Sequence, residues 1–298
     1  MESPITAIGF SEVDKKYTIE QIVEEILEKP TTQQASRSKN KDIVAEYVKE
    51  FGKDTYVMVR IVVRSQGKEN IKDEAKIEVE QCEPYLCANY TLNVEDLTVE
   101  EIDDEYNFYA IAEEKETGIQ FIFWLQNVIE YTEALAQNKS FSKVKIAALA
   151  MEGTIVLPVE QDEEDQVLQK EEKEKIKVML QKAREGDEEA KAQLEEEERE
   201  MDDLLKERLF EEDFLTIMSG YFIPTTLVDA NYAILGEIKE IATRKNNKTG
   251  EEMYLFTLDV NDMPLEVMIN KKQLVGYPTV GMRFMGTCWL QGTIVISE

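Results

Sequence analysis

The sequence of 298 residues contains no histidine. Histidine is the side chain most used for proton transfer near neutral pH, and its imidazole is the commonest metal ligand. Its absence excludes histidine-assisted serine and cysteine nucleophiles and the ordinary zinc sites. Aspartate, glutamate, lysine and tyrosine could still transfer protons. The composition therefore predicts a noncatalytic protein without a cofactor, and a carboxylate-dependent enzyme is the weaker alternative.

Cysteine is scarce as well, with Cys82, Cys87 and Cys288 as its three occurrences. An odd number in a chain of this size favours reduced thiols in a cytoplasmic protein over a disulfide framework. The longest apolar runs, such as "VMVRIVV", fall far short of the roughly 20 residues of a membrane helix. The N-terminal "MESPITAIGF" also lacks the basic and apolar regions of a signal peptide. We expect a cytoplasmic location and no membrane contact.

Positive charge is in short supply, since 34 basic residues face 62 acidic ones and the formal net charge is -28. A surface of that sign repels phosphate backbones, so a nucleic-acid partner is not expected. The apolar content of 43%, with 11 Phe and 12 Tyr, suffices to build folded cores. The chain length is typical of about two domains.

Residues 1–159 carry signals of both helices and strands. Thr18 and Gln21 form the pattern of a capping box at the start of a helix. The apolar stripe of "NKDIVAEYVKEFG" predicts a second helix that ends at Gly52. The segment "TYVMVRIVVRS" is typical of a strand. We therefore predict an α+β domain whose helices cover one face of an antiparallel sheet.

Two hairpins are predicted in the second half of this domain. The stretch "NFYAIAEEKETGIQFIFWLQN" predicts a pair of strands followed by a helix near residues 126–136. The stretch "KVKIAALAMEGTIVLPV" predicts another pair, with its turn at Glu152 and Gly153.

Residues 160–222 are predicted to form an acidic helical hairpin that links the two domains. Residues 160–213 hold 23 acidic and 10 basic residues and few apolar ones. Gly186 is placed to end one helix, and Asp187 is placed to cap the next. Such a segment is more often a solvated arm than a binding site.

Residues 230–298 are predicted to form a five-stranded β-barrel of the oligonucleotide/oligosaccharide-binding (OB) type. Three strands, a short helix "KKQLVG" and two more strands follow one another in the order of that fold. The last two strands are expected to form a hairpin with its turn near Gln291 and Gly292. A complete strand order predicts that this fragment folds by itself.

An OB-like barrel raises the possibility of single-stranded nucleic-acid binding. The candidate contacts are Arg244, Lys245 and Lys248 in the first loop and Lys271 after the third strand. The outer face of the second and third strands, however, offers no aromatic ring on which bases could stack. Nucleic-acid binding is therefore an alternative, and the preferred prediction is a binding or adaptor protein that acts on a protein partner.

Several motifs resemble an uncharacterised bacterial family, domain of unknown function 3881. They are "YAILGEI", "NNKTGEEMY", "EVMINKKQL" and "GYPTVGMRFMGTCWLQG" in the last third of the chain, with "TAIGFS" and "ETGIQFIFWLQN" nearer the start. The resemblance implies a cytosolic protein of anaerobic Gram-positive bacteria. It implies no activity, cofactor or partner.

Overall fold

The computed structural model describes residues 3–13, 15–37, 42–64, 77–102, 107–159, 175–194, 218–226 and 229–296, together with residues 196, 199 and 215. The fold is mixed α+β and rich in strands. Among the described residues, no helix is long and apolar enough to cross a membrane.

In chain order the elements are a 3-10 helix Pro4–Ile8, α1 Ile19–Glu28, β1 Thr32–Arg37, β2 Ile43–Gly52, β3 Thr55–Val63, β4 Ile77–Leu86, β5 Leu92–Ile102, β6 Asn107–Glu114, β7 Gln120–Leu125, α2 Val128–Ala136, β8 Lys143–Val156, β9 Tyr221–Pro224, β10 Asn231–Lys245, β11 Glu252–Val260, β12 Met263–Asn270, a 3-10 helix Lys271–Gln273, β13 Leu274–Val275 and β14 Arg283–Ile294.

A four-stranded antiparallel sheet is formed by β1, β2, β3 and β4 in that order. Helix α1 lies against β2 and β3 and buries Ile22 and Ile26 completely. The capping box predicted at its start is confirmed. The Thr18 hydroxyl accepts from the Gln21 amide at 3.3 Å, and the Gln21 side chain accepts from the Thr18 amide at 3.2 Å.

The helix predicted over residues 43–52 is wrong, because this segment is strand β2. Its β-branched and aromatic residues favour a strand, but they occur in pairs at a spacing that also suits a helix. Glu46 occupies an inward position opposite Arg60 of β3 and is buried with it. A charged residue at a buried position conceals the alternation by which a strand is recognised.

The hairpins predicted to turn at Gly153 and at Gly292 are also wrong. Strands β8 and β14 are each continuous and pair with one another antiparallel along their lengths. A Cβ atom on Gly153 would lie 2.3 Å from Cε2 of Phe284, and one on Gly292 would lie 2.4 Å from the carbonyl oxygen of Lys145. These glycines therefore permit close approach inside a sheet and do not form turns. The hairpin of β6 and β7 is confirmed.

The second sheet closes on itself through five of its strands. Strand β10 pairs with β11, β11 with β12, β12 with β8, β8 with β14, and β14 with β10. We call these five strands the strand cycle. Four of them come from residues 231–294, whereas β8 precedes the predicted domain boundary at residue 159. Fully buried apolar side chains of these strands include Ile234, Phe256, Val260, Phe284 and Leu290.

The outer face of β11 and β12 is covered by the N-terminal half of the chain. Met268 is fully buried and Leu255 nearly so. The Glu266 carboxylate accepts from the Asn89 side chain at 2.8 Å, and the first 3-10 helix lies against β8 and β12. The face that a single-strand binder would expose is thus occupied by the protein itself.

The acidic segment is helical over residues 175–184 and 188–194. Between these helices Gly186 has φ +92°, and the Asp187 carboxylate accepts from the amides of Glu189 and Ala190 at 3.0 and 3.2 Å. Arg184 ties the first helix to β6 through Glu113 at 2.7 Å. The two helices are therefore separated at Gly186 and Asp187, where the sequence predicts it. The remainder of the hairpin predicted over residues 160–222 lies largely outside the described residues.

Candidate functional site

The predicted nucleic-acid contacts lie around the turn between β10 and β11, and they are matched by acids. The Arg244 guanidinium lies 2.8 Å from a carboxylate oxygen of Asp54. Lys248 forms an ion pair with Glu25. Both partners belong to the N-terminal half of the chain.

The two remaining lysines lie beside the same acidic residue. Lys271 lies 2.8 Å from the carboxylate of Glu252 and 4.7 Å from the ring centroid of Tyr254. Lys245 stands opposite Glu252 in the register of β10 and β11. The structure therefore brings the four cations into one region but offsets their charge locally, which reduces the attraction available to a phosphate backbone.

A polar cleft lies between the four-stranded sheet and the segment formed by β7 and the start of α2. Its cavity has a volume of about 460 Å³. We refer to it as the cleft. It is lined by Thr32, Gln33, Gln34, Glu46, Val48, Tyr56, Met58, Tyr85, Cys87, Trp124, Gln126, Asn127 and Glu130.

A buried ion pair forms the floor of the cleft. Arg60 and Glu46 have side chains that are 0% and 2% exposed, and Nη2 of Arg60 lies 2.7 Å from Oε1 of Glu46. Nε of Arg60 donates to the same oxygen at 3.0 Å, and Gln34 donates to the other oxygen at 2.8 Å. Arg60 also donates to Gln81. Both oxygens of Glu46 are therefore satisfied, and its charge is compensated where it is buried.

A second carboxyl group lies close to this floor. Burial raises the pKa of Glu83 to about 7, although the charge of Arg60 acts to lower it. Burial outweighs the charge of Arg60 because a carboxylate loses its hydration when it is enclosed by protein. Glu83 thus changes its charge near neutral pH, immediately beside the ion pair.

Aromatic rings form the walls of the cleft. Tyr56 and Tyr85 meet edge to face, with centroids 5.6 Å apart. Trp124 packs on Trp289 of β14 at 5.3 Å, and its indole N–H donates to Asn107 at 3.0 Å. Because this N–H is already used and the side chain is 1% exposed, Trp124 gives the cleft a ring edge behind the two tyrosines and no hydrogen-bond donor.

Burial raises the pKa of the Tyr85 hydroxyl, and the negative charges of Cys87 and Glu130 raise it further. The hydroxyl is therefore protonated over the whole neutral range. At neutral pH the Cys87 thiol is protonated, so of these two groups it is Glu130 that makes the potential inside the cleft negative.

Amide side chains anchor the cleft to the strand cycle. Gln126 donates to the carbonyl of Leu86 at 3.2 Å and to Gln291 of β14. Gln291 in turn accepts from the Leu86 amide at 2.9 Å. Asn127 donates to the carbonyl of Ile294 at 2.9 Å and accepts from its amide at 3.0 Å. The position of the cleft wall is therefore fixed by the end of β14.

A larger groove lies on the other side of α2, with a volume of about 750 Å³. Its walls are mainly apolar and include Val44, Phe108 and Leu135. Among the described residues, the buried ion pair faces the cleft and not this groove. We therefore place the candidate site in the cleft.

Sequence reasoning missed the cleft, because its lining is spread over residues 32–130 and comes together only through strand pairing. One signal was present. Arg60 interrupts the apolar run "VMVRIVV" of a central strand, where a charge requires a buried partner. The partner could not be found while residues 43–52 were assigned to a helix.

Two sheets with a polar cleft between them define a mixed α+β protein with a candidate ligand site. In the described residues, no group of three or more Cys, Asp and Glu side chains is placed to hold a metal ion. The family described as a domain of unknown function, E. rectale gene description (DUF3881), matches residues 5–292. The chain belongs to this family, which confirms the resemblance seen in its motifs. Comparison with the curated proteins and with the solved structures gives no match.

Proposed function

We propose that this protein is a noncatalytic binding protein and that the cleft is its binding site. The observation that carries the proposal is a cavity of about 460 Å³ that combines aromatic walls with a satisfied, buried ion pair in its floor. Small-ligand sites have volumes of roughly 300–1,000 Å³ and place a few polar groups among apolar ones. A group carried by a protein partner could enter the same cavity, which preserves the adaptor role predicted from the sequence.

The chemistry of the lining favours binding over catalysis. Both oxygens of Glu46 already accept hydrogen bonds. Burial raises the pKa of Cys82, which lies on β4, to about 12 and also raises the pKa of Cys87 at the mouth. Thiols with raised pKa values stay protonated near neutral pH and are poor nucleophiles. Glu83 remains as a titrating group, but no activated nucleophile adjoins it among the described residues of the cleft lining.

We infer that the strand cycle is an OB-like barrel in which β8 takes the place of the fifth strand. Three antiparallel strands, β10 to β12, a short helix and β14 follow the chain order of that fold. The face used by OB readers is covered here, so we propose that the barrel is a scaffold. Its role is to hold the four-stranded sheet and α2 at a fixed distance from one another.

A variant that blocks the mouth of the cleft tests the proposal. Thr32 is exposed on edge strand β1 and lines the cleft, so Thr32→Trp adds bulk at the mouth without entering the core. Ala35→Trp is the matched control, because Ala35 is exposed on the same strand and does not line the cleft. Choline, glucose and citrate serve as cationic, neutral and anionic probes in isothermal titration calorimetry.

We expect at least one probe to bind saturably to the unmodified protein and to Ala35→Trp. Binding to Thr32→Trp should be about tenfold weaker, which corresponds to about 1.4 kcal/mol. If no probe binds, or if both variants bind equally well, the cleft is not the binding site.

A further inference from the structure

We infer that the group bound in the cleft is an alkylated ammonium, a cation whose nitrogen carries methyl or methylene groups. This inference rests on the proposed function of the cleft and names its ligand class. It follows from the rings, from the charges and from the hydrogen-bond donors of the lining, which point to the same chemistry.

The rings supply the attraction. Tyr56 and Tyr85 are partly exposed and line the cavity from the four-stranded sheet, and the buried Trp124 lines it from β7 on the facing side. A cation over an aromatic face is attracted by the ring quadrupole, and enclosure by several rings is the usual recognition of quaternary ammonium groups. Met58, nearly fully buried in the same wall, adds polarizable surface against which methyl groups can pack.

The charges of the lining select a cation. Glu46 and Glu130 are its two charged residues, and the lining contains no lysine or arginine. Arg60 compensates Glu46 from below, so Glu130, exposed at the mouth, supplies the uncompensated charge. An anion would meet this charge and find no cation to pair with.

The hydrogen-bond donors of the lining are partly engaged. Gln126 uses both of its amide N–H groups, for Leu86 and Gln291, while Gln34 and Asn127 each donate one, to Glu46 and to Ile294. A carboxylate or a polyhydroxyl ligand draws on free donors, whereas an alkylated ammonium requires none. A bare ammonium would bring three N–H groups, and because the oxygens of Glu46 are already engaged, Glu130 is the one carboxylate of the lining left to accept from them.

The experiment compares choline with 3,3-dimethyl-1-butanol, its uncharged carbon isostere, by isothermal titration calorimetry on the full-length protein. We expect choline to bind saturably and the isostere to bind at least tenfold more weakly, because shape is conserved and charge is lost. Equal affinity for the two probes would overturn the inference.

Four variants locate the effect in the cleft. Tyr85→Leu removes a ring and should weaken choline binding about tenfold, whereas Tyr85→Phe keeps the ring and should weaken it much less. Glu130→Gln should weaken binding about fivefold by Coulomb reasoning for a partly solvated pair. Glu133→Gln, on the same exposed side of α2 but outside the cleft lining, is the charge-matched control and should change nothing. Unchanged binding in both Tyr85→Leu and Glu130→Gln would contradict the assignment.

A second pair of probes identifies the source of the ammonium. A glycine-flanked peptide with trimethyl-lysine is compared with the same peptide with unmodified lysine. Tighter binding of the trimethylated peptide than of choline indicates a protein partner, and the reverse order indicates a free small amine. Saturable binding of glucose or citrate alone, lost in Thr32→Trp, would overturn the ligand class and leave the proposed function standing. Absence of binding by every probe would overturn both.

Discussion

The strand cycle and the four-stranded sheet bury different kinds of side chain. The interior of the cycle is filled by rings and aliphatic groups such as Phe256, Phe284 and Ile234. The cleft side of the sheet buries Arg60 with Glu46. Apolar burial stabilises a fold, whereas a buried ion pair is often no more stabilising than apolar residues of the same volume. The difference accords with our proposal that the cycle supports the structure and that the four-stranded sheet contributes the binding site.

Removal of β8 is the change with the largest expected effect, since it opens the cycle. Residues 230–296 alone should fail to fold, because β12 and β14 would both lose their pairing with β8. The sequence alone predicts instead that this fragment folds by itself. Joining residues 143–157 after residue 296 through a short glycine–serine linker should restore folding, because Val295 already donates to the Lys143 carbonyl at 2.9 Å.

Circular dichroism during thermal unfolding distinguishes the two fragments. A cooperative, strand-rich transition is expected in the joined fragment and a non-cooperative one in the fragment without β8. Equal cooperativity in both would show that the cycle does not depend on β8.

The second largest effect is expected when the ion pair between Arg60 and Glu46 is broken. Arg60→Met leaves the Glu46 carboxylate buried without its cation and should lower the free energy of unfolding by about 3–5 kcal/mol. The double variant with Glu46→Leu as well should recover most of this loss, since no unpaired charge remains. Urea unfolding at pH 7 measures both values. A single variant as stable as the double variant would mean that the pair is not desolvated.

The pH dependence of stability sharpens the comparison through Glu83. Its folded pKa of about 7 lies above the ordinary value of 4.5, so the folded state holds the proton more tightly than the unfolded state. The stability contributed is full below about pH 4.5 and is lost as the pH rises through about 7. Glu83→Gln removes this loss and should gain as much as about 3 kcal/mol relative to the unmodified protein between pH 5 and pH 8.

Urea unfolding at the two pH values gives that difference directly. Glu240→Gln, an exposed position on β10, is the control and should show no such change. A stability difference for Glu83→Gln that is the same at pH 5 and pH 8 would refute the raised pKa.

The smallest effect is expected when single-stranded nucleic acid is added to the protein. Because Arg244, Lys248 and Lys271 are paired with acids, mixed-sequence single-stranded DNA should not bind at micromolar concentration and physiological salt. Fluorescence anisotropy with a labelled oligonucleotide measures this. Tight binding that weakens with salt and is lost when Arg244, Lys245 and Lys248 are replaced by Glu would instead support the nucleic-acid alternative.

Sequence reasoning succeeded where a local rule decides the structure. The capping box of α1, the hairpin of β6 and β7 and the helix α2 each follow from a short pattern. It failed for β8 and β14, because Gly153 and Gly292 serve contacts between strands that are distant in the chain. A glycine required for close approach has the same sequence signature as a glycine in a turn.

The candidate site was beyond the reach of sequence patterns for a related reason. Glu46, Tyr85 and Trp124 share no spacing, and they meet only because two sheets face one another. The charged loop at Arg244 was the more visible feature in the sequence. Its partner Asp54 lies in the turn between β2 and β3, which no local pattern connects to it.

Our central claim is that the four-stranded sheet contributes to the ligand site and that the strand cycle serves as the scaffold. Hydrogen exchange measured by mass spectrometry, with and without saturating choline, tests this claim most directly. We predict increased protection of the backbone amides in β2, in β3 and at the start of α2, with no change in the turn between β10 and β11. Protection confined to that turn, or to strands of the cycle distant from the cleft, would contradict the account.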